Sequence, residues 1–277
     1  MIKKDSLFDI PKNRKVLIQG ERFSYILPCE QLRSWISNFT ISFPDKTMIS
    51  DNYTIMPHGS VTLVLFYYHS ELYSFFFGPT TRPVKVGDIA NQCDILFIVE
   101  FQPAGLYPFI QKNQKELADQ IVPFSWMDHS LDQIIRNIFR SSLSVDELLL
   151  EFENVLIQKI QFQYREELTS AIHAIIEMEG AATALEISKD TFYCSRHLNR
   201  LFNQYVGMSI KSFSRLVRIN KSIRLLSEKE NTLAIVCEKL GYYDVSHFIK
   251  DFKIVCGITP QDYRMNMSDF YSEIAKY

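Results

Sequence analysis

Arg196, Asn199 and Arg200 fall on one side of the stretch Ser195-Arg-His-Leu-Asn-Arg-Leu-Phe-Asn203, and Leu198, Leu201 and Phe202 fall on the other. Residues three and four apart share a helix face, so a polar surface rich in arginine would stand clear of an apolar stripe. A guanidinium can fork onto guanine O6 and N7, and a carboxamide can pair with adenine N6 and N7. The same face would equally suit a helix that simply shows its polar side to water.

The surrounding elements decide what such a face is for. Thr183 can cap a helix over Ala184–Asp190, a break follows around Phe192–Cys194, and the arginine-bearing helix comes next. A short helix, a tight turn and a second helix presenting Arg and Asn make a helix-turn-helix arrangement. The pattern recurs. Thr232 can cap Leu233–Leu240, Gly241 supplies a left-handed turn residue, and Asp244–Lys253 buries Phe248 and Phe252 while presenting Ser246, His247 and Lys250. A connecting helix over about Ile210 to Ser227 would span ~26 Å at 1.5 Å per residue. That is close to the ~34 Å between successive major-groove faces once helix width is added.

Upstream the period changes. Thr62–Tyr68 and Leu72–Phe77 are β-branched and aromatic runs separated by His69-Ser70-Glu71, which predicts a hairpin, and Ile95–Phe101 reads as a strand buried on both faces. Cys29–Phe39 suits a short helix or an entering strand. Leu131, Ile134, Ile135 and Ile138, then Leu148, Leu149, Phe152, Val155, Leu156 and Ile160, carry helical spacing, with Ser144-Val-Asp-Glu147 as a capping box. These two helices would either cover the sheet or form a dimer seam.

Composition agrees with a folded protein: 277 residues, 47% hydrophobic and 22% charged, which excludes fibrous and disordered classes. The net charge of −2 is unevenly spread. Residues 1–164 hold 15 basic and 18 acidic side chains (−3), and 165–277 hold 15 and 14 (+1). Within the latter, 189–224 has eight basic residues and one acidic, or +7, where phosphates would lie. Five cysteines without a CxxC pair read as reduced thiols. No secretory leader or membrane-length apolar run is visible, so a cytoplasmic location is expected. His58 and His69 are the histidines of the strand region and form no His-x-His pair, so no zinc or iron is expected. Neither a nucleophile elbow, a phosphate loop nor paired carboxylates appear; no enzymatic activity and no cofactor are expected.

About 100 C-terminal residues resemble the AraC/XylS transcription regulators. The resemblance rests on Leu198-x-Arg-x-Phe202, Gly207-x-Ser209, Arg218, Leu225-Leu226, Gly241-Tyr242, Ser246-His-Phe248, Phe252-Lys253 and Gly257-Ile-Thr-Pro-Gln-Asp-Tyr-Arg264. Two positions depart from the pattern: Phe192 stands at the usual turn glycine, and Ile210 replaces the usual proline, which should loosen the start of the connecting helix. The resemblance implies base reading by Arg196, Asn199, Arg200, Ser246, His247 and Lys250. It implies phosphate contacts by Ser195, Lys211, Arg215, Arg218, Lys221 and Lys253, with Arg218 equally suited to bracing the two units. Pro57–Leu65, Gly78–Pro83 and Phe101–Gly105 resemble the cupin-like effector domain that precedes some such regions. That implies a β-barrel whose pocket, lined by Phe66, Tyr68, Phe75 and Phe77, would take a small-molecule effector, unless those aromatics are simply core.

The expected architecture is therefore α+β: a cupin-like β-barrel over 1–125, a helical linker or dimerisation region over 126–164, and an all-helical DNA-binding domain with two helix-turn-helix units over 165–277. The implied partners are double-stranded DNA, a small-molecule effector, RNA polymerase and a second copy of the chain, with no membrane. A cupin-like small-molecule-binding protein or enzyme with a helical interaction tail is the alternative.

Overall fold

In the computed structural model, residues 2–11, 13–161, 164, 166–190, 193–267 and 270–271 are described. Strands and short helices come first: β1 (Val16–Gln19), β2 (Phe23–Ile26), β3 (Ile36–Ser42), β4 (Thr54–Ile55), β5 (Thr62–Tyr68), β6 (Glu71–Phe77), β7 (Val84–Lys85), α1 (Gly87–Ala90), β8 (Ile95–Phe101), α2 (Gln114–Leu117) and β9 (Ile121–Pro123). Helices then dominate: α3 (Phe124–Met127), α4 (His129–Ser141), α5 (Val145–Lys159), α6 (Glu166–Glu177), α7 (Ala184–Asp190), α8 (Ser195–Leu201), α9 (Ile210–Ser227), α10 (Leu233–Lys239), α11 (Val245–Cys256) and α12 (Pro260–Met265). A two-residue strand, β10 (Phe270–Tyr271), returns to pair with β4. The α+β order, sheet-rich and then helical, is the expected one.

Among the described residues a seven-stranded sheet runs β1-β2-β3-β8-β5-β6-β9, and a small sheet runs β10-β4-β7. The expected barrel does not close. The large sheet keeps β1 and β9 as its ends, and β4, β7 and α1 supply residues that face it across a cavity. Strand alternation sorts the side chains: Phe39, Ile41, Leu63, Leu65, Phe76, Phe97 and Val99 enter one core cluster. Their neighbours Thr40, Ser42, Val64, Phe77, Ile98 and Glu100 line the cavity on the opposite face. β8, apolar but for Glu100, is covered on both faces as expected. The 62–68/71–77 hairpin turns on His69 and Ser70, both at positive φ (49° and 64°), the conformation of a two-residue turn that matches strand twist. Cys29–Phe39 turns out to contain both options, a 3-10 turn at Glu30–Leu32 and then β3.

Helices α4 and α5 cover the sheet. Leu131, Ile135, Ile138, Phe139, Leu148, Leu149, Phe152 and Leu156 share the first core cluster with the strands. Polar staples fix them there. Ser74 donates to Asp132 at 2.6 Å, while Arg136 donates to Ser74 and to the Leu72 carbonyl. Arg14 reaches Asp146 (2.9 Å) and buried Glu153 (3.0 Å), whose other oxygen accepts from the Cys29 N–H at 2.7 Å. Ser144 caps α5 by accepting from the Glu147 N–H. The returning bond from Glu147 goes to the Leu143 N–H rather than to Ser144 itself.

A second core cluster gathers α6–α12 around α9, and it takes in Met56 and Ala104 from the strand region. The two parts interlock at these loops. Asn220 of α9 donates to the Pro57 carbonyl at 3.1 Å, and Tyr107 packs edge-on against Tyr205 at 4.6 Å. Gly59 presses on the Phe213 ring so closely that a Cβ there would lie 2.7 Å from it.

Candidate nucleic-acid interface

The first unit is α7 followed by α8. Thr183 and Glu186 form a reciprocal cap at the start of α7: the Glu186 N–H donates to Thr183 Oγ1 (3.2 Å) and the Thr183 N–H to Glu186 Oε2 (2.7 Å). The Thr183 N–H and the Thr183 hydroxyl, both donating to it, hold the Glu186 carboxyl below its ordinary value. Phe192, the departure at the turn, lies outside the described residues. Leu198, Leu201 and Phe202 are buried, and α8 runs on into a π-helical turn over Phe202–Val206 that ends at Gly207, φ 85°. Arg196 and Arg200 stand exposed on the other side, Arg200 Nη2 lying 3.4 Å from His197 Nδ1.

Asn199 is engaged elsewhere. Its Nδ2 donates to the Ser195 carbonyl at 3.0 Å, and its Oδ1 accepts from the Ile210 N–H at 3.1 Å. The Oδ1 bond ties α8 to the start of α9, while the Nδ2 bond stays within α8. The bond also explains the departure at Ile210. A proline there would have no N–H to give, whereas Ile210 gives one to Asn199. The start of α9 is fastened rather than loosened, with Ser209 capping it through the Ser212 N–H at 3.2 Å. Ser195 is half-buried at the head of α8.

The second unit is α10 and α11. Thr232 caps α10 through the Ile235 N–H. Gly241 sits at φ 65° with nothing within 4 Å of where a Cβ would be, so its backbone conformation, not space, asks for glycine. Asp244 caps α11 by accepting from the His247 N–H at 2.7 Å. Phe248 and Phe252 are buried, and Ser246, His247, Lys250 and Lys253 are exposed. Tyr243, 94% exposed in the turn immediately before α11, joins this face. Sequence patterning passed over it because an aromatic beside Gly-Tyr reads as core.

The rod α9 spans 210–227, the predicted range, and its cations brace the units. Arg215 Nε lies 3.1 Å from Asp251 of α11. Arg218 donates to the Gly180 carbonyl at 2.7 Å, and its guanidinium lies over the Tyr242 ring, 5.1 Å from the centroid. Lys221 pairs with Glu179 at 2.6 Å. Burial pushes the Tyr242 hydroxyl above its ordinary value, so the surface under Arg218 stays a neutral ring. Arg218 thus touches the loop that leads into α7 and the turn of the second unit. Lys211, at the head of the rod, is exposed.

Between the units lies a groove of about 380 Å³ lined by Lys211, Ser214, Arg215, Arg218, His247 and Asp251. Two polar atoms in it are buried without a hydrogen-bond partner, Ser214 Oγ and Arg218 Nε. Orphaned donors beside three cationic side chains suit an anion.

The strand region holds a second cavity, of about 110 Å³, between the two sheets. Of the four aromatics expected to line a pocket, Phe77 alone does so. Phe66 and Phe75 stack on each other and on Tyr73 farther along the same face, with centroids 5.3–6.4 Å apart, and Tyr68 packs on His69. Alternation assigns these rings to the correct face; depth along the strand decides which ones reach the cavity. No group of three or more His, Cys, Asp or Glu able to hold a metal ion occurs among the described residues, and no described helix is long and apolar enough to cross a membrane.

Residues 187–266 match the family of helix-turn-helix domains, and residues 24–123 match a family described as a domain of unknown function. The chain is 25% identical over 129 residues to an uncharacterized HTH-type transcriptional regulator of Bacillus subtilis, YisR, covering 47% of this chain and 45% of that protein. It is 25% identical over 147 residues to the HTH-type transcriptional activator RhaR of Yersinia pseudotuberculosis, covering 47% and 51%. The chain spans about half the length of these curated relatives. Among solved structures, ToxT from Vibrio cholerae superposes with a TM-score of 0.40 at 13% identity, over 92% of this chain and 98% of that one. The two capped units on a single braced rod, together with the family match over them, make residues 187–266 a helix-turn-helix domain.

Proposed function

We propose that the chain is a sequence-specific DNA-binding transcription regulator. In this reading residues 165–277 grip the duplex, and residues 1–125, together with α4 and α5 of the 126–164 segment, form a part that senses a small molecule or mediates pairing. The observation that carries it is the cationic groove between two exposed helix faces held on one rod. Arg196 and Arg200 read bases from α8, and Ser246, His247 and Lys250 read from α11. Lys211, Lys253, Ser195 and the orphaned atoms of the groove meet phosphate. Arg215, Arg218 and Lys221 act first as braces and contribute charge to the same surface. α9, at 18 residues, is ~27 Å long, which suits two adjacent major-groove faces ~34 Å apart. Double-stranded DNA is the partner and the cytoplasm the compartment, with RNA polymerase and a second copy of the chain as further partners.

The test is titration of the full-length chain against fluorescent duplexes drawn from its own genome, over a range of salt. Affinity should fall steeply as salt rises, with a log–log slope of about −0.9 per phosphate neutralised. Binding that is absent, or independent of salt, overturns the reading.

A further inference from the structure

The two helix-turn-helix units repeat at an interval of 50 residues: Leu198 corresponds to Phe248, Phe202 to Phe252, His197 to His247 and Arg200 to Lys250. At the same interval Tyr193 corresponds to Tyr243, so each unit carries a tyrosine immediately before the capping residue of its reading helix, Cys194 or Asp244. Both tyrosines are exposed, Tyr243 by 94% and Tyr193 by 41%, and both stand on fixed turns. In the second unit Tyr242 is buried beneath the Arg218 guanidinium and against Phe248 (5.3 Å), and Asp244 is held by its bond from the His247 N–H. In the first, Ser188 Oγ donates to the Tyr193 carbonyl, and the Tyr193 ring stacks on His197 with centroids 5.6 Å apart. A preorganised support of this kind lowers the cost of ordering a side chain against a partner. The place in the fold names that partner. The first residues of a reading helix dip toward the base edges, so the residue just before its cap stands at the lip of the groove, where the sugar–phosphate strand runs. Tyrosine offers that strand a hydroxyl donor for a phosphate oxygen and an apolar ring for a sugar. Residues 225–277 hold six basic side chains against eight acidic, so the second unit has little cationic charge to offer the strand instead.

We propose that Tyr193 and Tyr243 are a pair of equivalent backbone clamps, each donating its hydroxyl to one phosphate oxygen of the duplex and laying its ring on the adjacent deoxyribose. The inference rests on the DNA-binding reading and adds two contacts to it. Neither contact reads sequence, and neither neutralises a phosphate, so neither releases a counterion. With the two units on adjacent major-groove faces, the clamped phosphates lie about one helical turn, ~10 bp, apart. Tyr243 gives the second unit a hold that its charge does not supply. Tyr193, partly covered by His197, has its ring direction set by that stack.

The experiment measures binding of the full-length chain to the genomic duplex it holds most tightly, as wild type, Tyr193→Phe, Tyr243→Phe and the double variant. Phenylalanine keeps each ring, including the stack on His197, so the hydroxyl alone is removed and the fold is spared. Each single variant should bind about tenfold more weakly, the loss of one hydrogen bond to a charged group. The double variant should multiply the two losses. The salt slope should stay that of the wild type, and selection from randomised duplexes should recover the same sequence. Single methylphosphonates, which remove one phosphate charge at a time, should then be scanned along both strands. Among the positions at which the wild type weakens, Tyr243→Phe should be insensitive to one, and Tyr193→Phe to another ~10 bp away. Unchanged affinity in either variant overturns the proposal, as does a relaxed preference at one base pair, or a methylphosphonate profile that both variants share with the wild type. In each of those outcomes the wild type still binds DNA, so the DNA-binding reading stands; a wild type that binds no duplex overturns both.

Discussion

Replacing Asn199 by alanine separates a joint from a reader. Asn199 lies on the face of α8 proposed to read bases, yet its Nδ2 donates to the Ser195 carbonyl and its Oδ1 accepts from the Ile210 N–H. Ile210 is fully buried, so losing its acceptor leaves a donor away from water, at a cost of about 1–3 kcal/mol. Alanine's better helix propensity returns about 0.5 kcal/mol. The net expectation is a loss of about 0.5–2.5 kcal/mol, read by chemical denaturation of the full chain, together with uniformly weaker DNA binding. Selection from randomised duplexes should recover the same sequence as the wild type. Asn199→Asp keeps an acceptor for Ile210 and should lose less. Arg196→Ala should behave oppositely: stability changes within about 0.5 kcal/mol, and one base-pair position relaxes by about 1–3 kcal/mol. If Asn199→Ala leaves stability unchanged and instead relaxes a single A·T position, the bracing role is refuted.

Other consequences follow from particular contacts. Gly59→Ala would push a Cβ to 2.7 Å from the buried Phe213 ring, and overpacking of this kind costs about 1–3 kcal/mol; a double-mutant cycle with Phe213→Leu should recover part of it, and strict additivity would show that the two do not touch in solution. Glu153→Ala leaves Arg14 with Asp146 as its remaining partner and the Cys29 N–H without its acceptor, so a loss of about 1–3 kcal/mol is expected in urea melts. Gly241→Ala meets no neighbour but keeps a left-handed backbone, for about 1–2 kcal/mol. Asp262 is held below the ordinary carboxylate value by the Thr259 hydroxyl and N–H, so its stabilisation is complete above its unfolded pKa and fades as pH falls through its folded one. In an NMR titration Thr259→Ala should move the Asp262 midpoint upward.

Much of this was readable in the chain because the signals were local. Caps at Thr183 and Thr232 bound two of the helices, and the connecting helix over 210–227 had the range expected of it. The charge excess over 189–224 was equally plain, but its destination was not. Arg215, Arg218 and Lys221 point at Asp251, Gly180, Tyr242 and Glu179, partners 24 to 42 residues away that only tertiary packing brings near. The cavity was the least legible part. Its polar lining residues Ser42 and Glu100 sit in strands whose apolar neighbours dominate the pattern, whereas the conspicuous aromatics Phe66, Tyr68 and Phe75 spend themselves on one another and on Tyr73 or His69. A period of two tells which face a residue takes, and nothing about which strands close over it.

The loop Met56–Ser60 belongs to both halves at once. His58 walls the cavity and its N–H donates to Thr80 Oγ1 at 3.2 Å, while Pro57 and Gly59 on either side hold Asn220 and Phe213 of the rod. A guest that shifts His58 must therefore shift the seat of α9, and free energy exchanged through such a seat runs equally in both directions. If a ligand changes the affinity for a duplex by some factor, the duplex changes the affinity for that ligand by the same factor. The occupancy of the cavity would then be set partly by the DNA on which the protein stands, so that bound and unbound copies in one cell respond to different concentrations of the same small molecule.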